Sequence, residues 1–362
     1  MKLNLIFIGN VFIYNKPLQE YVIRKIEEEN EFISSITYFK DGDNNLFLYL
    51  EEKLNSTTKN IIVTNKQNFT TVGKLISTVT SDNQVLKDNM LIPSNAITSK
   101  NRSYLIEYKD TLLNVVQIDE MEKLPEILIS DSFSTETIYL FNEEKENAIA
   151  MLEPIAQMYE INIDVIVLVD GFLKINIYSK KYGNLSKFIN NAKQLLSKKL
   201  IHTKNIMRYI IETLSSNDKK ITFAESCTGG LLTYYLTKEN GASNILDGSL
   251  VTYSNKLKEN WLAVDKEVID REGAVSLDVV SEMSEGALNV SDADYSISIS
   301  GVAGDFGGTK DKPVGMVCIG VRTKDEHIEE TLCLDGDRNY VQHQSVLYAL
   351  KMLINIDKSI FF

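Results

Sequence analysis

The chain has 362 residues, of which 44% are hydrophobic and 24% are charged, and its formal net charge is −12. This length exceeds what one ordinary hydrophobic core holds and indicates two or three domains. The acidic balance, without a Lys/Arg-rich cluster, argues against nucleic-acid binding, because that affinity comes largely from neutralising phosphates. No apolar run reaches the ~18 residues that span a bilayer. The N-terminus lacks the cleavage site of a signal peptide, so we expect a cytoplasmic protein without a membrane partner.

Cysteine and histidine are too few and too scattered to predict a metal site. The three cysteines are Cys227, Cys318 and Cys333, and the sequence contains no C-x-x-C or H-x-x-x-H element. Such spacing is not typical of a disulfide framework or of a zinc site. We therefore predict neither a metal nor another cofactor.

The first part of the chain alternates segments typical of strands and helices, which indicates an α/β domain. The apolar segment 2–13 predicts a buried strand, and residues 17–30 predict an amphipathic helix. Residues 60–65 predict a second buried strand, and residues 70–81 the helix that follows it. We assign residues 1–132 to this domain.

Residues 133–200 predict a small α+β module between two larger domains. Residues 146–161 are helical in pattern, although Pro154 is expected to kink or interrupt that helix. Residues 164–180 predict two strands joined by a turn, and residues 185–200 predict a second helix.

Glycine distinguishes the last unit, residues 201–362. Only five of the 18 glycines precede residue 220. Because glycine permits tight turns and close approach to a ligand, we expect the binding loops here. The pattern is again α/β, with strands predicted at 221–226, 249–254, 294–300 and 314–323 and helices at 205–220, 229–241, 255–264, 275–291 and 343–356.

The segment AESCTGG (224–230) places a serine where a buried strand gives way to a helix. Free backbone N–H groups at a helix start can hold an anion or a developing oxyanion, so Ser226 is a candidate nucleophile. A plain helix cap is the alternative, since serine is common at that position. The pair Gly229 and Gly230 favours the functional interpretation, because each glycine costs a helix roughly 1 kcal/mol and should serve a close approach.

A second strand ends at VTYSNK (251–256). Lys256 is a candidate base toward Ser226 if burial or a neighbouring cation keeps it neutral. Tyr253 is a candidate hydrogen-bond donor or proton relay. An ordinary solvated surface lysine is the alternative.

Two further segments are candidates for holding an anion. SGVAGDFGGT (300–309) follows a strand, and repeated glycine there suits a loop whose amides cradle a phosphate; a flexible loop is the alternative. DGDR (335–338) places Arg338 after a turn, where its guanidinium can grip a phosphate or carboxylate; a surface ion pair is the alternative.

The sequence resembles the CinA family of competence/damage-inducible proteins in five segments that occur in the family's order. These segments are ESCTGG, VTYSNKLK, GAVS, SGVAG…GG…KPVG and GDR. The resemblance covers residues 201–362. It implies an α/β nicotinamide-nucleotide amidase domain, which hydrolyses the carboxamide of nicotinamide mononucleotide to nicotinic acid mononucleotide and ammonia. The expected partner is therefore a small nucleotide substrate, and the family also suggests a homodimer.

The resemblance assigns roles residue by residue. Ser226 matches the nucleophile, Lys256 the general base and Tyr253 an assisting hydroxyl. Ser300 stands where the family usually has threonine, and Arg338 matches an arginine that assists substrate binding or catalysis. The expected substrate-binding residues are Thr228, Gly229, Gly230, Gly301, Gly304, Gly307 and Gly308.

Two departures from the family pattern bear on function. In the glycine loop, Asp305 stands in place of the family's usual proline and is followed by Phe306. A carboxylate beside a phosphate is unfavourable unless it points away. This change leaves a different, less charged amide open as the substrate.

The first domain resembles the family's molybdopterin-binding-like domain only in outline. The stretches 9–15 and 65–73 lack the family's glycines and metal-binding acids, and a cation cannot be held without oxygen ligands. We expect its pyrophosphatase activity to be lost. A non-catalytic scaffold is the remaining alternative.

Overall fold

The computed structural model describes residues 3–29, 33–129, 135–179, 183–304 and 307–362. The chain folds as two compact units, Met1–Ser134 and Thr135–Phe362, and both are of the predicted α/β class. The predicted boundary near residue 200 lies inside the second unit. Among the described residues, no helix is both long enough and apolar enough to cross a membrane.

The first unit is built on a six-stranded sheet with the strand order β2-β1-β3-β8-β7-β6. Strands β2, β1, β3 and β8 are parallel. Strand β7 pairs antiparallel with β8, and β6 pairs antiparallel with β7. The elements in chain order are β1 (Leu3–Ile8), α1 (Asn10–Tyr14), α2 (Lys16–Glu29), β2 (Ile33–Phe39), α3 (Leu46–Leu54), β3 (Lys59–Thr64), α4 (Lys66–Val79), β4 (Gln84–Lys87), β5 (Met90–Pro93), β6 (Ala96–Lys100), β7 (Ser103–Tyr108) and β8 (Thr111–Gln117).

Alternating side chains of the parallel strands fill two cores, one on each face of this sheet. On β1, Ile6 and Ile8 pack with α3 and α4, whereas Leu5 and Phe7 pack with α2. Both faces are covered, as expected when strands are buried and helices cross over between them.

The expected strand over residues 2–13 is wrong in its second half. β1 ends at Ile8 and α1 begins at Asn10. Between them Gly9 has a φ of 135°, a conformation that side chains other than hydrogen rarely tolerate. The apolar run continues past Gly9 because Phe12, on α1, is fully buried.

The second unit contains two sheets. Its elements are β9 (Thr135–Phe141), α5 (Lys145–Met158), β10 (Ile161–Val169), β11 (Phe172–Ser179), α6 (Leu185–Leu195), β12 (Leu200–His202), α7 (Ile206–Ser216), β13 (Ile221–Glu225), α8 (Leu231–Thr237), a 3₁₀ turn (Ala242–Asn244), β14 (Leu246–Val251), α9 (Asn255–Leu262), α10 (Lys266–Glu272), α11 (Leu277–Asn289), β15 (Tyr295–Gly301), β16 (Met316–Thr323), β17 (His327–Cys333), α12 (Arg338–Ile356) and α13 (Lys358–Phe361).

The smaller sheet has the order β10-β11-β9-β12 and is antiparallel, with α5 and α6 packed on one face. Helix α5 continues through Pro154. On the other face, Phe141 and Phe172 join the core that also contains α7 and α12. The α+β module is thus packed directly onto the rest of the second unit.

The larger sheet has the order β14-β13-β15-β16-β17. Strand β13 is parallel to β14 and β15. Strand β16 pairs antiparallel with β15, and β17 pairs antiparallel with β16. One face packs against α7, α8 and α12, and Ala224 on the other face packs against α9, α10 and α11. The parallel arrangement brings the carboxyl ends of three strands to one edge of the sheet.

Two of the differences from the sequence prediction in this unit have a direct physical reason. Helix α12 begins at Arg338 rather than at residue 343, because the Asp337 side chain caps it by accepting from the Tyr340 N–H. Strand β17 was not predicted, since it is a largely exposed edge strand with few buried side chains.

Packing of α11 on α9 depends on Gly286. A Cβ at this position would overlap the carbonyl oxygen of Leu262 at the end of α9. We expect Gly286→Ala to lower the free energy of unfolding by about 1–3 kcal/mol, since overpacking forces the two helices apart. Gly248→Ala is the matched control, because a Cβ at Gly248 would meet nothing within 4 Å. Urea denaturation measures both; equal stability of the two variants would contradict the prediction.

Candidate active site

Ser226 directly follows β13 at the carboxyl edge of the larger sheet. Its backbone N–H donates to the carbonyl of Ile299 on β15 at 2.9 Å. On the other side, the Thr252 N–H donates to the Glu225 carbonyl at 2.8 Å. The ends of β13, β14 and β15 are therefore tied together at this serine, as predicted for strand ends of a parallel sheet.

The turn after Ser226 is held by the fully buried carboxylate of Glu225. This carboxylate accepts from the N–H groups of Gly230 (3.0 Å), Leu232 (3.1 Å) and Thr233 (3.0 Å). It also accepts from the Thr233 hydroxyl at 2.6 Å. A carboxylate is well placed at a helix N-terminus, where orphan N–H donors and the helix dipole favour negative charge.

This arrangement changes the expected role of the helix start. The Gly230 N–H is bonded to Glu225, and the Gly229 N–H donates to the Ser226 carbonyl at 3.1 Å. Both N–H groups are engaged within the turn, so neither is available as a donor to a ligand in this structure. The glycines are needed because their φ angles are 61° and 100°, in the left-handed region.

Lys258 lies against Ser226. Its Nζ donates to the Ser226 Oγ at 2.9 Å and to the Thr252 carbonyl at 2.7 Å. Lys258 is 1% exposed and Ser226 is 8% exposed. Burial lowers the pKa of Lys258 to about 8, because a desolvated ammonium is disfavoured.

The lysine beside the serine is therefore Lys258 and not Lys256. Helix α9 begins after Ser254, whose hydroxyl accepts from the Leu257 N–H and caps the helix. Residues two apart on a helix point to nearly opposite sides. With the helix in this phase, Lys258 faces the sheet and Lys256 is exposed to solvent.

Tyr253 is 63% exposed and makes no side-chain hydrogen bond within the described part of the chain. The structure thus places it at the rim of the site, not between Ser226 and Lys258.

Several polar groups around Ser226 have no partner within the described residues. They are the hydroxyls of Thr228 and Thr252, both at least 97% buried, and the N–H groups of Cys227 and Thr228. Buried polar groups in proteins are nearly always paired, so the vicinity of Ser226 is suited to a polar ligand or to water. The neighbouring Cys227 thiol is no rival nucleophile, because burial raises its pKa to about 12.

Ser300, at the end of β15, is brought to the same edge as Ser226. Its hydroxyl donates to the Ala274 carbonyl at 2.7 Å, so its proton is engaged by the loop before α11. Lys312 holds the same loop by donating to the carbonyls of Glu272 and Val275, the latter at 2.7 Å. These contacts indicate a structural use of Ser300 in this state.

The structure brings Arg338 against the glycine loop at Gly304. A Cβ at Gly304 would overlap the guanidinium of Arg338, which stands at the exposed start of α12. A Cβ at Gly301 would lie 2.8 Å from Val317 Cγ2 and 3.1 Å from Cys227 Sγ, so this glycine serves packing.

The two later glycines of the loop differ in how much room their surroundings leave for a side chain. Gly307 has a φ of 98° with open space around it, and a Cβ at Gly308 would lie 2.6 Å from the Val314 N atom. The predictions for Asp305 and Phe306 lie outside the described residues. Nowhere in the described ranges are three His, Cys, Asp or Glu side chains grouped so that they could hold a metal ion.

The arrangement has the parts of a serine-lysine acyl-transfer site. A hydroxyl is in hydrogen-bond contact with a desolvated amine, and a third group, the Thr252 carbonyl, orients that amine. Sequence reasoning missed Lys258 and Glu225. The Ser254 cap, which sets the phase of α9, was the available signal for the lysine.

Known proteins match the region that contains this site. The model of the CinA C-terminal domain matches residues 203–356. A Thermoanaerobacter protein named for competence-damage induction is 30% identical over 233 residues, which are 62% of this chain and 56% of that protein. A CinA-like protein of Fervidobacterium nodosum is 42% identical over 144 residues, 40% of this chain and 35% of that protein. The matched region thus spans little more than half the length of the first relative.

Solved structures cover the same region. A crystal structure of a competence/damage inducible protein from Agrobacterium tumefaciens is 34% identical, covers 42% of this chain and 93% of that one, and has a TM-score of 0.41. A CinA superfamily protein from Enterobacter cloacae is 32% identical, covers 42% of this chain and 89% of that one, and has a TM-score of 0.41. On the domain match and the identities of these relatives, residues 203–356 belong to the CinA C-terminal domain family.

Proposed function

We propose that the second unit hydrolyses the carboxamide of nicotinamide mononucleotide to nicotinic acid mononucleotide and ammonia. The observation that carries this proposal is the buried contact of 2.9 Å between Lys258 Nζ and Ser226 Oγ. A serine hydroxyl is a weak nucleophile unless a base within hydrogen-bond distance takes its proton. The amine of Lys258 lies within hydrogen-bond distance of the hydroxyl, and its lowered pKa allows it to be neutral and so to accept the proton.

The reaction would proceed through an acyl-enzyme. Neutral Lys258 takes the proton of Ser226 as Oγ attacks the carboxamide carbon, and the C–N bond then breaks. Lys258 returns the proton to the leaving nitrogen, so that ammonia departs and an ester remains on Ser226. Water attacks the ester with Lys258 again as base, which releases the carboxylic acid and restores the serine.

The oxyanion of each tetrahedral intermediate needs hydrogen-bond donors that are already in place. Glu225 engages the Gly230 N–H, and Gly229 is bonded within the turn. The N–H groups of Cys227 and Thr228 are the donors of this turn that have no partner within the described residues. We assign the oxyanion site to them.

The nucleotide phosphate is assigned to Arg338 and the glycine loop. Arginine offers a planar set of donors that matches a phosphate, and Gly304 gives the guanidinium room to lie against the loop. A different amide without a phosphate remains the second candidate for the same site, favoured by the acidic residue at position 305. A scaffold without activity would not explain why a lysine is held buried against a serine.

The two lysines of α9 provide a matched test of the mechanism. We expect Ser226→Ala to lower kcat for ammonia release from nicotinamide mononucleotide at least about 10³-fold, and Lys258→Met at least about 10²-fold. Lys256→Met should retain nearly full activity, because Lys256 is exposed. Circular dichroism checks that each variant folds. Full activity of the Ser226 variant would refute the nucleophile, and a larger loss for Lys256→Met than for Lys258→Met would refute the base.

The pH dependence of activity should reflect the protonation state of the Lys258 amine. Only neutral Lys258 accepts a proton, so log kcat/KM should rise with pH and level off near the pKa of about 8. A profile that is flat between pH 6 and pH 9 would argue against Lys258 as the base.

The pH dependence of folding stability should reflect the protonation of the same amine. The folded state lowers the pKa of Lys258 from 10.5 to about 8, so between these values the unfolded chain binds more protons. The free energy of unfolding should therefore gain a contribution that grows as pH rises from about 8 to 10.5. Lys258→Met should lack that contribution, which denaturant titrations at several pH values would measure.

Phosphate recognition can be separated from amide chemistry. If Arg338 binds the phosphate, Arg338→Ala should raise KM for the mononucleotide at least about 10-fold, since charge-assisted bonds are strong. The same variant should leave kcat/KM for the phosphate-free riboside nearly unchanged. If the parent protein already prefers the riboside, the less charged amide substrate is the correct one.

A further inference from the structure

Residues 226–229 form a β-turn, the nucleophile turn, which the Gly229 N–H closes by donating to the Ser226 carbonyl at 3.1 Å. The central peptide group of this turn joins Cys227 to Thr228, and it carries the Cys227 carbonyl and the Thr228 N–H. A peptide group is planar and trans, so these two bonds point in opposite directions. The direction of the Cys227 carbonyl therefore determines where the Thr228 N–H points.

The hydrogen bond that closes the turn does not by itself fix the central peptide group. Type I and type II turns share that bond and differ mainly in the orientation of this group. A type II turn requires a positive φ at Thr228, which the structure does not have and which is rare for a β-branched residue. The threonine thus disfavours a complete flip. It does not prevent rotation through smaller angles, which contacts from outside the turn have to restrict.

Gln342 makes such a contact from α12. Its Nε2 donates to the Cys227 carbonyl at 2.7 Å. A carbonyl can only accept, so this partner fixes which end of the amide is the nitrogen. The helix that carries the glutamine is packed into the core, since the side chains of Val341, Ser345 and Val346 are fully buried. The contact therefore links the nucleophile turn to a well-packed element.

The same face of α12 carries Arg338, one turn before Gln342. Residues four apart on a helix lie on one face. Arg338 lies against the glycine loop at Gly304, and Gln342 bonds to the turn after Ser226. One helix thus contacts both the proposed phosphate site and the nucleophile turn.

We propose that Gln342 is a positioning residue, which aims the Thr228 N–H at the oxyanion that forms when Ser226 attacks. The inference rests on the proposed function and deepens it, because the N–H groups of Cys227 and Thr228 are the assigned oxyanion donors. Gln342 acts through the Cys227 carbonyl. Its hydrogen bond holds the peptide group at one angle and also polarises it, which strengthens the N–H at the other end as a donor.

Replacement of the glutamine by methionine tests this role. Gln342→Met removes the donor, keeps a side chain of similar length and introduces no charge. We expect it to lower kcat at least about 10-fold and to leave KM within about two-fold, because the lost interaction serves the transition state alone. The loss should be equal for nicotinamide mononucleotide and its phosphate-free riboside, since both form the same oxyanion. Gln342→Asn, whose side chain is shorter by a methylene group, should show the same loss.

Gln344→Met is the matched control. Gln344 lies on the same helix, and its Nε2 donates to the carbonyl of Asp335 at 2.8 Å, which is not part of the nucleophile turn. This variant should keep nearly the full kcat. Unchanged kcat in Gln342→Met, equal losses in the two methionine variants, or a loss confined to the mononucleotide would overturn the proposal.

A lysine at position 342 provides a rescue. Gln342→Lys restores a donor to the Cys227 carbonyl and should recover kcat to within about three-fold of the parent protein. Gln344→Lys adds the same charge to the same helix and should leave kcat unchanged. A Gln342→Lys variant that is folded and as slow as Gln342→Met would contradict the role of the hydrogen bond. Circular dichroism checks that each variant folds.

Labelling of the serine by a small fluorophosphonate separates this inference from the choice of substrate. Ser226 Oγ attacks phosphorus, its proton passes to Lys258, and the P–F bond breaks with release of fluoride. Negative charge develops on the phosphoryl oxygen, which needs the same donors as the amide oxyanion. We expect Gln342→Met to slow labelling at least about 10-fold and Gln344→Met to leave it unchanged, with Ser226→Ala unlabelled.

The two assays fail in different ways. If the parent protein is labelled but does not hydrolyse nicotinamide mononucleotide, the substrate assignment is wrong and the labelling rates decide the role of Gln342. If the parent hydrolyses the mononucleotide and Gln342→Met matches it in both assays, the proposed function stands and the positioning role is refuted. A parent protein that is not labelled at all would also overturn the inference, because it would lack the activated serine.

Discussion

The candidate active site depends on one unfavourable event, the burial of the Lys258 amine. Lysine is almost never fully buried unless it is paired, because desolvation of its charge is costly. Here the cost is lowered in two ways: the amine donates to Ser226 Oγ and the Thr252 carbonyl, and its pKa falls to about 8. What is a cost to folding is an advantage to chemistry, since a neutral amine beside a hydroxyl can act as a base.

The rest of the second unit supports this contact. The parallel pairing of β13 with β14 and β15 brings Ser226 and Thr252 to one edge. The core of α9, α10 and α11 sets α9 against that edge and so positions Lys258. The turn that presents the serine has its own costs, two residues in the left-handed region and a buried carboxylate at Glu225. Such local strain and polar burial are typical of functional sites, where surrounding structure compensates for them.

The two units apply the same principle with different side chains. Each gathers the residues that follow parallel strands at a sheet edge. In the second unit the edge carries Ser226, with the amine of Lys258 in contact with its hydroxyl. In the first unit the residues that follow β1, β2 and β3 include Asn10, Asp41 and Asn65.

Much of this arrangement could be predicted from the sequence. The period of the hydrophobic residues and the positions of the glycines indicated the α/β class and the strand ends, because these features depend on local sequence pattern. The closeness of Ser226 to the end of β14 could be expected because the carboxyl ends of parallel strands lie at one edge of a sheet. The choice between Lys256 and Lys258 could not be made in this way. It depends on the residue at which α9 begins and on which side of that helix meets the sheet.

The uses of Glu225 and Ser300 were decided by tertiary structure for the same reason. A carboxylate or hydroxyl in a sequence has many possible partners, and only folding settles which N–H or carbonyl lies within hydrogen-bond distance of it. Glu225 bonds to the start of α8, and Ser300 bonds to Ala274, 26 positions earlier in the chain. The sequence by itself determined which residue types stand at the strand ends. The tertiary structure decided which of them face one another, because helix phase and strand pairing are set by packing of the whole unit.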